Sequence, residues 1–139
     1  MATEAQLWAL LRTNLQGHFV RIENAISVGV PDVNACHDGV EVWIELKTGS
    51  GNYISLRSSQ LAWFIRRISV GGNLKVVYRV KDTIGVIKGQ DLLAAKDTFK
   101  AVINSQVRVD VREVTKTLFH KPFDWQKINE TIFATDMSR

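Results

Sequence analysis

The sequence predicts a mixed α/β domain in which helices flank a central mixed β-sheet. Segments with the 3.6-residue apolar repeat of a helix are interspersed with segments that alternate like a strand. The chain has 139 residues, 45% of them hydrophobic and 23% charged, which suits one globular core. No repeat or Pro/Gly/Ser-rich linker divides it. We therefore expect a single domain over residues 1–139, with a core over about 3–88 and a C-terminal extension over about 89–139.

The first part of the chain is predicted to run helix, strand, strand, helix, strand. Thr3 and Gln6 form a capping-box pattern at the start of the first helix. A polar loop over 48–58 is expected to precede the second helix, whose buried stripe would be Leu61, Phe64, Ile65 and Ile68. The five predicted elements are Glu4–Leu15, His18–Asn24, Val40–Leu46, Ser59–Ser69 and Asn73–Lys81.

The second part of the chain has a weaker pattern. A short strand is predicted at Thr83–Gly89, a helix over Asp91–Asn104 and an alternating strand over Gln106–Val114. A last helix over Asp124–Phe133 is capped by Asp124.

Composition argues against several classes of protein. No apolar run approaches the ~20 residues that cross a bilayer, and the N-terminal segment lacks the basic stretch of a signal peptide. The single cysteine, Cys36, excludes an internal disulfide and fits a reducing compartment. We expect a cytoplasmic protein.

Charge is unevenly distributed along the chain. Residues 1–50 hold six acids and three bases, whereas residues 51–90 hold seven bases and one acid. An acidic cluster beside a basic middle suits a protein that holds a metal ion next to a polyanion, although a solvated basic face without a ligand fits the same balance.

The stretch 29–49 contains the chemistry-bearing residues. Glu45 and Lys47 lie two apart on a predicted strand, so both side chains project from one face about 6–7 Å apart. If Asp32 meets the end of that strand, two carboxylates and a backbone carbonyl provide a hard oxygen site for Mg²⁺ or Mn²⁺. With a lysine beside the metal, the set suits phosphodiester hydrolysis. A common turn and an exposed salt bridge are the structural alternative.

These residues resemble the pattern of the PD-(D/E)XK phosphodiesterase superfamily, which has the restriction-endonuclease-like fold. More specifically, they look like the small virus-type replication-repair nucleases (VRR-NUC) and the related Holliday-junction resolvases. The resemblance covers about residues 3–82 and consists of Glu4, Gly29-Val30-Pro31-Asp32, Glu45-Leu46-Lys47 and a helix with Gln60 that ends at Gly71-Gly72.

The resemblance implies a role for each matching residue. Asp32, Glu45 and the Leu46 carbonyl would bind Mg²⁺, with Mn²⁺ as a substitute, and Lys47 would be the catalytic lysine. Gln60 would position the site or the substrate. The accessory acid of the family maps best onto Glu4, with Glu23 as the rival.

The basic middle of the chain supplies candidate DNA contacts. Each of these side chains fits either a phosphate contact or a solvent-facing charge, and the five predicted are Arg57, Arg66, Arg67, Lys75 and Arg79. Tyr53 and Trp63 fit base stacking or core packing, and Cys36 is expected to pack. The three histidines lack the spacing of a zinc site.

Together these features predict a Mg²⁺-dependent DNA endonuclease, structure-specific for branched DNA. No sequence-reading module is evident, which favours recognition of backbone and shape. By analogy with resolvases we expect a homodimer, and a viral origin is what the resemblance suggests. A catalytically inactive nucleic-acid-binding module and a restriction-type nuclease are the alternatives.

Overall fold

The computed structural model describes residues 2–22, 28–102 and 104–135, without the side chains of 101 and 102. Its helices are α1 Glu4–Asn14, α2 Ser58–Ser69, α3 Gly89–Ala94, α4 Val111–Val114 and α5 Trp125–Phe133, with a 3-10 turn at Lys96–Thr98. Its strands are β1 His18–Arg21, β2 Val33–His37, β3 Val40–Thr48, β4 Tyr53–Arg57, β5 Leu74–Val80, β6 Thr83–Lys88, β7 Lys100–Val102, β8 Gln106–Asp110 and β9 Thr117–His120.

The described strands form two sheets. The larger has the order β1-β2-β3-β5-β6-β9, in which only the β3–β5 pair is parallel. The smaller has the order β4-β8-β7, with antiparallel pairing throughout. This arrangement confirms the predicted mixed α/β class.

Two apolar cores lie on opposite faces of the larger sheet. On one face Val42, Ile44 and Leu46 of β3 belong to the cluster that includes Leu7 of α1 and Ile132 of α5. On the other face, β5 contributes to a cluster built with α2, β4 and β8. The face of β3 that carries Glu45 and Lys47 is therefore directed towards α2 and the smaller sheet.

Helix α1 begins as the sequence predicts. The Thr3 hydroxyl accepts from the Gln6 N–H (3.1 Å), and the Gln6 side chain accepts from the Thr3 N–H (2.8 Å). Leu7 and Leu11 are buried below it. This cap fixes the first turn, where Glu4 lies.

Strands β2 and β3 form a tight hairpin that the sequence reading missed. His37 pairs with Val40, so the turn consists of Asp38 and Gly39, both with positive φ (49° and 79°). Two positive φ values are typical of a type I′ turn, for which Asp-Gly is a preferred dipeptide. The Asp38-Gly39 pair was the available signal.

Several other predicted elements need correction. The predicted polar loop contains strand β4, in which buried Ile54 and Leu56 alternate with more exposed residues. The predicted helix over Asp91–Asn104 is too long, since α3 ends at Ala94 and β7 begins at Lys100. The predicted strand over Gln106–Val114 ends at Asp110, where α4 begins. Strand β9 was not predicted.

Helix α2 buries a different stripe from the one predicted. Phe64 is fully buried as expected, whereas Ile65 is 39% exposed and Gln60 is buried. A buried glutamine at the start of the helix places a polar group against Glu45 and Lys47 of β3.

Two remaining predictions concern the chain ends. Strand β1 confirms the start of the predicted strand at His18, whereas Glu23 and Asn24 lie outside the described residues. Helix α5 confirms the last predicted helix, because the Asp124 side chain accepts from the Lys127 N–H. No helix in the described ranges is long and apolar enough to cross a membrane.

We expect Gly29→Ala to destabilise the protein by roughly 2–4 kcal/mol. Gly29 has φ +89°, and a Cβ there would collide with the Ser59 carbonyl of α2, which is backbone and cannot swing aside. Urea denaturation measures the change. The matched control is Gly39→Ala, whose φ is also positive (+79°) but whose Cβ would meet nothing within 4 Å. Equal losses for the two variants would contradict the steric argument.

Candidate active site

The hairpin register places Asp32 beside Glu45. Val33 pairs with Ile44, so continuing the register by one residue puts Asp32 opposite Glu45. Directly opposed residues of an antiparallel pair project from the same face with Cβ atoms about 4.5–5.5 Å apart. Lys47, two residues after Glu45, projects from that face as well. The register alone brings the three side chains together.

Asp32 also binds the backbone of β3. Its Oδ2 accepts a hydrogen bond from the Leu46 N–H (3.0 Å), and its own carbonyl accepts from the Ile22 N–H (2.7 Å). In a strand the N–H and C=O of one residue point to the same side, so the Leu46 carbonyl is directed towards Pro31, the next register position. Pro31 has no N–H to donate. The Leu46 carbonyl therefore faces the side of the site where Asp32 lies. It receives no backbone hydrogen bond from Pro31, the residue opposite it in the strand pair.

Gln60 joins Glu45 to Lys47. Its Nε2 donates to Glu45 Oε2 (2.8 Å), while its Oε1 accepts from Lys47 Nζ (3.1 Å) and from the Arg57 N–H (2.9 Å). Lys47 Nζ lies 3.6 Å from Glu45 Oε2. The amide is only 3% exposed. Since α2 begins directly after β4, this position of Gln60 is fixed by both elements.

Glu45 is buried to an unusual degree for a carboxylic acid. It is 1% exposed, and its Oε1 accepts no hydrogen bond from any described residue. Burial, with repulsion from Asp32, raises the pKa of Glu45 to about 8, although Lys47 opposes the shift. A hydrogen bond to Asp32 also favours the protonated form. Burial and the adjacent Asp32 therefore favour a protonated Glu45 at neutral pH when no cation is bound, with its proton shared with Asp32.

Glu4 is the third acid at this place. Burial raises its pKa, with the charge of Lys47 opposing the shift and that of Asp32 adding to it. The structure thus brings Glu4 to the same cleft as Asp32 and Glu45. Its rival from the sequence, Glu23, lies outside the described residues.

The donor set fits a hard divalent cation. No three His, Cys, Asp or Glu side chains of the described ranges form a metal-holding group by themselves. Mg²⁺ nonetheless binds commonly through one or two carboxylates and keeps several waters. A buried carboxylate oxygen without a donor, a second carboxylate on the opposed strand and the adjacent Leu46 carbonyl supply such ligands. A cation there would replace the shared proton.

These groups lie in a cleft of about 750 Å³. One wall is formed by α1 and the β2–β3 hairpin, and the other by the β4–β8 ribbon, meaning strands Tyr53–Arg57 and Gln106–Asp110. Three ribbon residues in the cleft were not predicted from the sequence: Ser55, Gln106 and Arg108. The alternation of residues 53–57 was the signal for Ser55, whereas nothing local marks the pairing of β4 with β8.

The predicted basic residues separate into three groups. Arg57 lines the cleft. Arg66 and Arg67 lie near the other end of α2, where Arg66 is exposed and Arg67 stacks over Trp63 (4.6 Å). The remaining two, Lys75 and Arg79, are held by protein groups.

The prediction that Lys75 contacts DNA is wrong. It is fully buried, and its Nζ donates to Asn73 Oδ1 and to the Ala134 carbonyl, both at 2.6 Å. It therefore has no surface from which to contact a phosphate. Arg79 is also engaged, since its Nε donates to the Lys81 carbonyl (2.8 Å) and its guanidinium lies over Phe123.

Two minor predictions have different outcomes. Trp63 packs edge-on against Trp43, with ring centroids 5.4 Å apart, as expected of a core residue. Cys36 is exposed, so the expectation that it packs is wrong. It pairs with His18 at the edge of the larger sheet.

The mixed central sheet with helices on both faces agrees with the restriction-endonuclease-like fold that the sequence predicts. The comparison with solved structures confirms that prediction. Hjc, a Holliday junction resolvase from the archaeal hyperthermophile Archaeoglobus fulgidus, matches with a TM-score of 0.54 over 80% of this chain and 83% of its own, at 13% identity. Hjc has the PD-(D/E)XK nuclease fold, so the resemblance is confirmed at the level of the fold.

Sequence comparisons add no family to this likeness. No family model matches the chain, and no curated protein matches it. The narrower likeness to VRR-NUC proteins stays a prediction.

The raised pKa of Glu45 predicts that stability without divalent cations falls as pH rises. The unfolded carboxyl titrates near 4.5 and the folded one at about 8. Between these values the folded protein holds a proton that the unfolded chain has released, so each pH unit costs up to about 1.4 kcal/mol. We expect the free energy of unfolding of Glu45→Gln to fall less steeply than that of the wild type between these pH values, as measured by urea denaturation in EDTA. Parallel curves would show that Glu45 does not titrate in this way.

Proposed function

We propose that this chain is a Mg²⁺-dependent phosphodiesterase that cuts DNA internally. The observation that supports this most directly is the buried Glu45 carboxyl, which lacks a donor at Oε1, faces Asp32 and is joined through Gln60 to the amine of Lys47. This arrangement of acids beside an amine is better explained by phosphodiester hydrolysis than by a structural ion pair. In a structural ion pair, both glutamate oxygens would be expected to accept hydrogen bonds from protein donors.

In this proposal Asp32, Glu45 and the Leu46 carbonyl hold the cation, and Glu4 adds charge from α1. A divalent cation held by these groups would supply a water of lowered pKa and a polarised phosphoryl oxygen. The hairpin register and the Leu46 N–H keep the two carboxylates in place, so little reorganisation is needed when the cation binds.

Lys47 acts on the phosphate or the attacking water. An ammonium has three donors, of which one is directed to Gln60 Oε1. The others are available to orient the water and to offset negative charge on the phosphoryl oxygens. Because its side chain is only 13% exposed, competition from bulk water is reduced. Gln60 positions the Lys47 amine and does not itself act on the substrate.

Branched DNA is the proposed substrate. The cleft is open and has arginines on its ribbon wall, which suits recognition of the phosphate backbone. The fold likeness to a junction resolvase supports the choice of four-way junctions as the branched substrate. A junction has two strands to cut, so we propose that two copies of the chain act together.

We expect Asp32→Asn and Lys47→Ala to lower the rate of Mg²⁺-dependent cleavage roughly 100- to 1,000-fold. The first change removes a cation ligand and the second removes the amine that stabilises developing charge. Labelled four-way junction, flap, duplex and single-stranded DNA are incubated with Mg²⁺, Mn²⁺ or EDTA, and products are resolved by denaturing electrophoresis.

The matched controls for this experiment are Asp97→Asn and Lys96→Ala, which make the same changes on the exposed 3-10 turn. They should cut like the wild type. If Asp32→Asn and Lys47→Ala cut as fast as the wild type, the assignment of the site is wrong. If the wild type binds junctions but cuts no DNA with either metal, the chain is a binding module.

We also expect Mg²⁺ to raise the melting temperature of the wild type and to have a much smaller effect on Asp32→Asn. A ligand that binds only the folded state stabilises it by about 2.7 kcal/mol at 100 times its Kd. Differential scanning fluorimetry without DNA measures this. A shift of equal size in both proteins would mean that the cation binds elsewhere.

A further inference from the structure

The β4–β8 ribbon presents a polar face to the cleft. Tyr53, Ser55 and Arg57 alternate with buried Ile54 and Leu56, and all three line the cleft. On β8, Arg108 pairs with Ser55 and Gln106 pairs with Arg57. Paired residues of adjacent strands share a face, so Arg108 and Arg57 are diagonal neighbours about 7–8 Å apart.

Arg108 is held in place without a charge partner. Its guanidinium carbon lies 4.2 Å from the centroid of the Tyr53 ring. Its Nε is buried and donates to no described residue, and no ion pair links it to a described carboxylate. A buried N–H of a charged group without an acceptor is costly, which calls for an explanation in a folded protein.

A second arginine of the same region shows the contrast. Arg112, just after β8, donates to Asp110 from Nε (3.0 Å) and from Nη2 (2.7 Å). The acid at the end of β8 is thereby occupied by Arg112. Arg108 is left with its positive charge directed to a cleft that also contains Arg57.

We infer that Arg108 is a substrate-binding residue that holds a backbone phosphodiester next to the scissile one, with Arg57 as its neighbour. The inference rests on the proposed function. A planar guanidinium binds phosphate through two parallel hydrogen bonds, and stacking on Tyr53 fixes its plane before the ligand arrives. The phosphate oxygens would satisfy the Nε–H. The carboxylates on the hairpin wall would thus hold the metal ion at the scissile phosphate. The arginines on the ribbon wall would bind the neighbouring phosphate.

The test measures DNA binding without cleavage. Anisotropy of a labelled four-way junction is followed in Ca²⁺ between about 50 and 200 mM salt. We expect Arg108→Gln to raise Kd about tenfold and to reduce the salt slope by about 1. Arg108→Lys keeps the charge but loses the planar fork, so it should keep the slope with a weaker Kd. The matched control, Arg112→Gln, should change Kd less than twofold.

The possible outcomes separate the two proposals. If Arg108→Gln binds with the Kd and salt slope of the wild type, the inference is wrong, while cleavage by the wild type still supports the proposed function. If Arg112→Gln weakens binding as much as Arg108→Gln, general charge explains the effect and the inference fails. If the wild type neither binds nor cuts DNA, both proposals fail. Thermal melting of each variant identifies loss of fold. If Arg108→Gln does not fold, the Kd and salt slope of Arg108→Lys decide whether the inference holds.

Discussion

One side-chain amide determines the geometry of the candidate site. Gln60 can satisfy a buried carboxylate only with its NH₂ end and a lysine only with its oxygen, so its orientation is set by its two neighbours. The same oxygen accepts the Arg57 N–H at the junction of β4 with α2. The ribbon, the helix and the central strand are therefore linked through one buried polar group whose orientation is set by its hydrogen bonds. A buried acid is tolerable at neutral pH because this network and a shared proton, or a cation, compensate for its lost hydration.

Local periodicity accounts for what was predictable. Strand β3, helix α1 with its cap, helix α5 and strands β5 and β6 follow from repeats of 3.6 or two residues that tertiary contacts reinforce. Two of the missed strands, β4 and β9, depend on partners distant in the chain. Strand β4 pairs with β8 and β9 pairs with β6, and neither pairing leaves a trace in a short window. Residues after 89, predicted as an extension, supply strands to both sheets.

Most residues of the candidate site could be predicted because they belong to the one sequence motif that the chain shares with PD-(D/E)XK nucleases. Glu4, Asp32, Glu45, Lys47, Arg57 and Gln60 all line the cleft. Arg108 was not found because its role depends on a strand pairing, and Lys75 was misassigned because alternation alone cannot identify a buried lysine. Its ammonium lies at the end of α5, where the Ala134 carbonyl accepts a hydrogen bond. Carbonyls at a helix C-terminus lack intrahelical donors, so a buried amine is satisfied there.

The two-residue turn of the β2–β3 hairpin has a consequence for how this chain can change in length. Asp32 and Glu45 are opposed because the number of residues between Asp32 and the Asp38-Gly39 turn equals the number between that turn and Glu45. An added residue on one strand would turn every later side chain to the other face and separate the acids. Residues can therefore be gained or lost here only in matched pairs, one on each strand, unless a bulge absorbs the difference. A relative that keeps both acids should show an even number of residues between them.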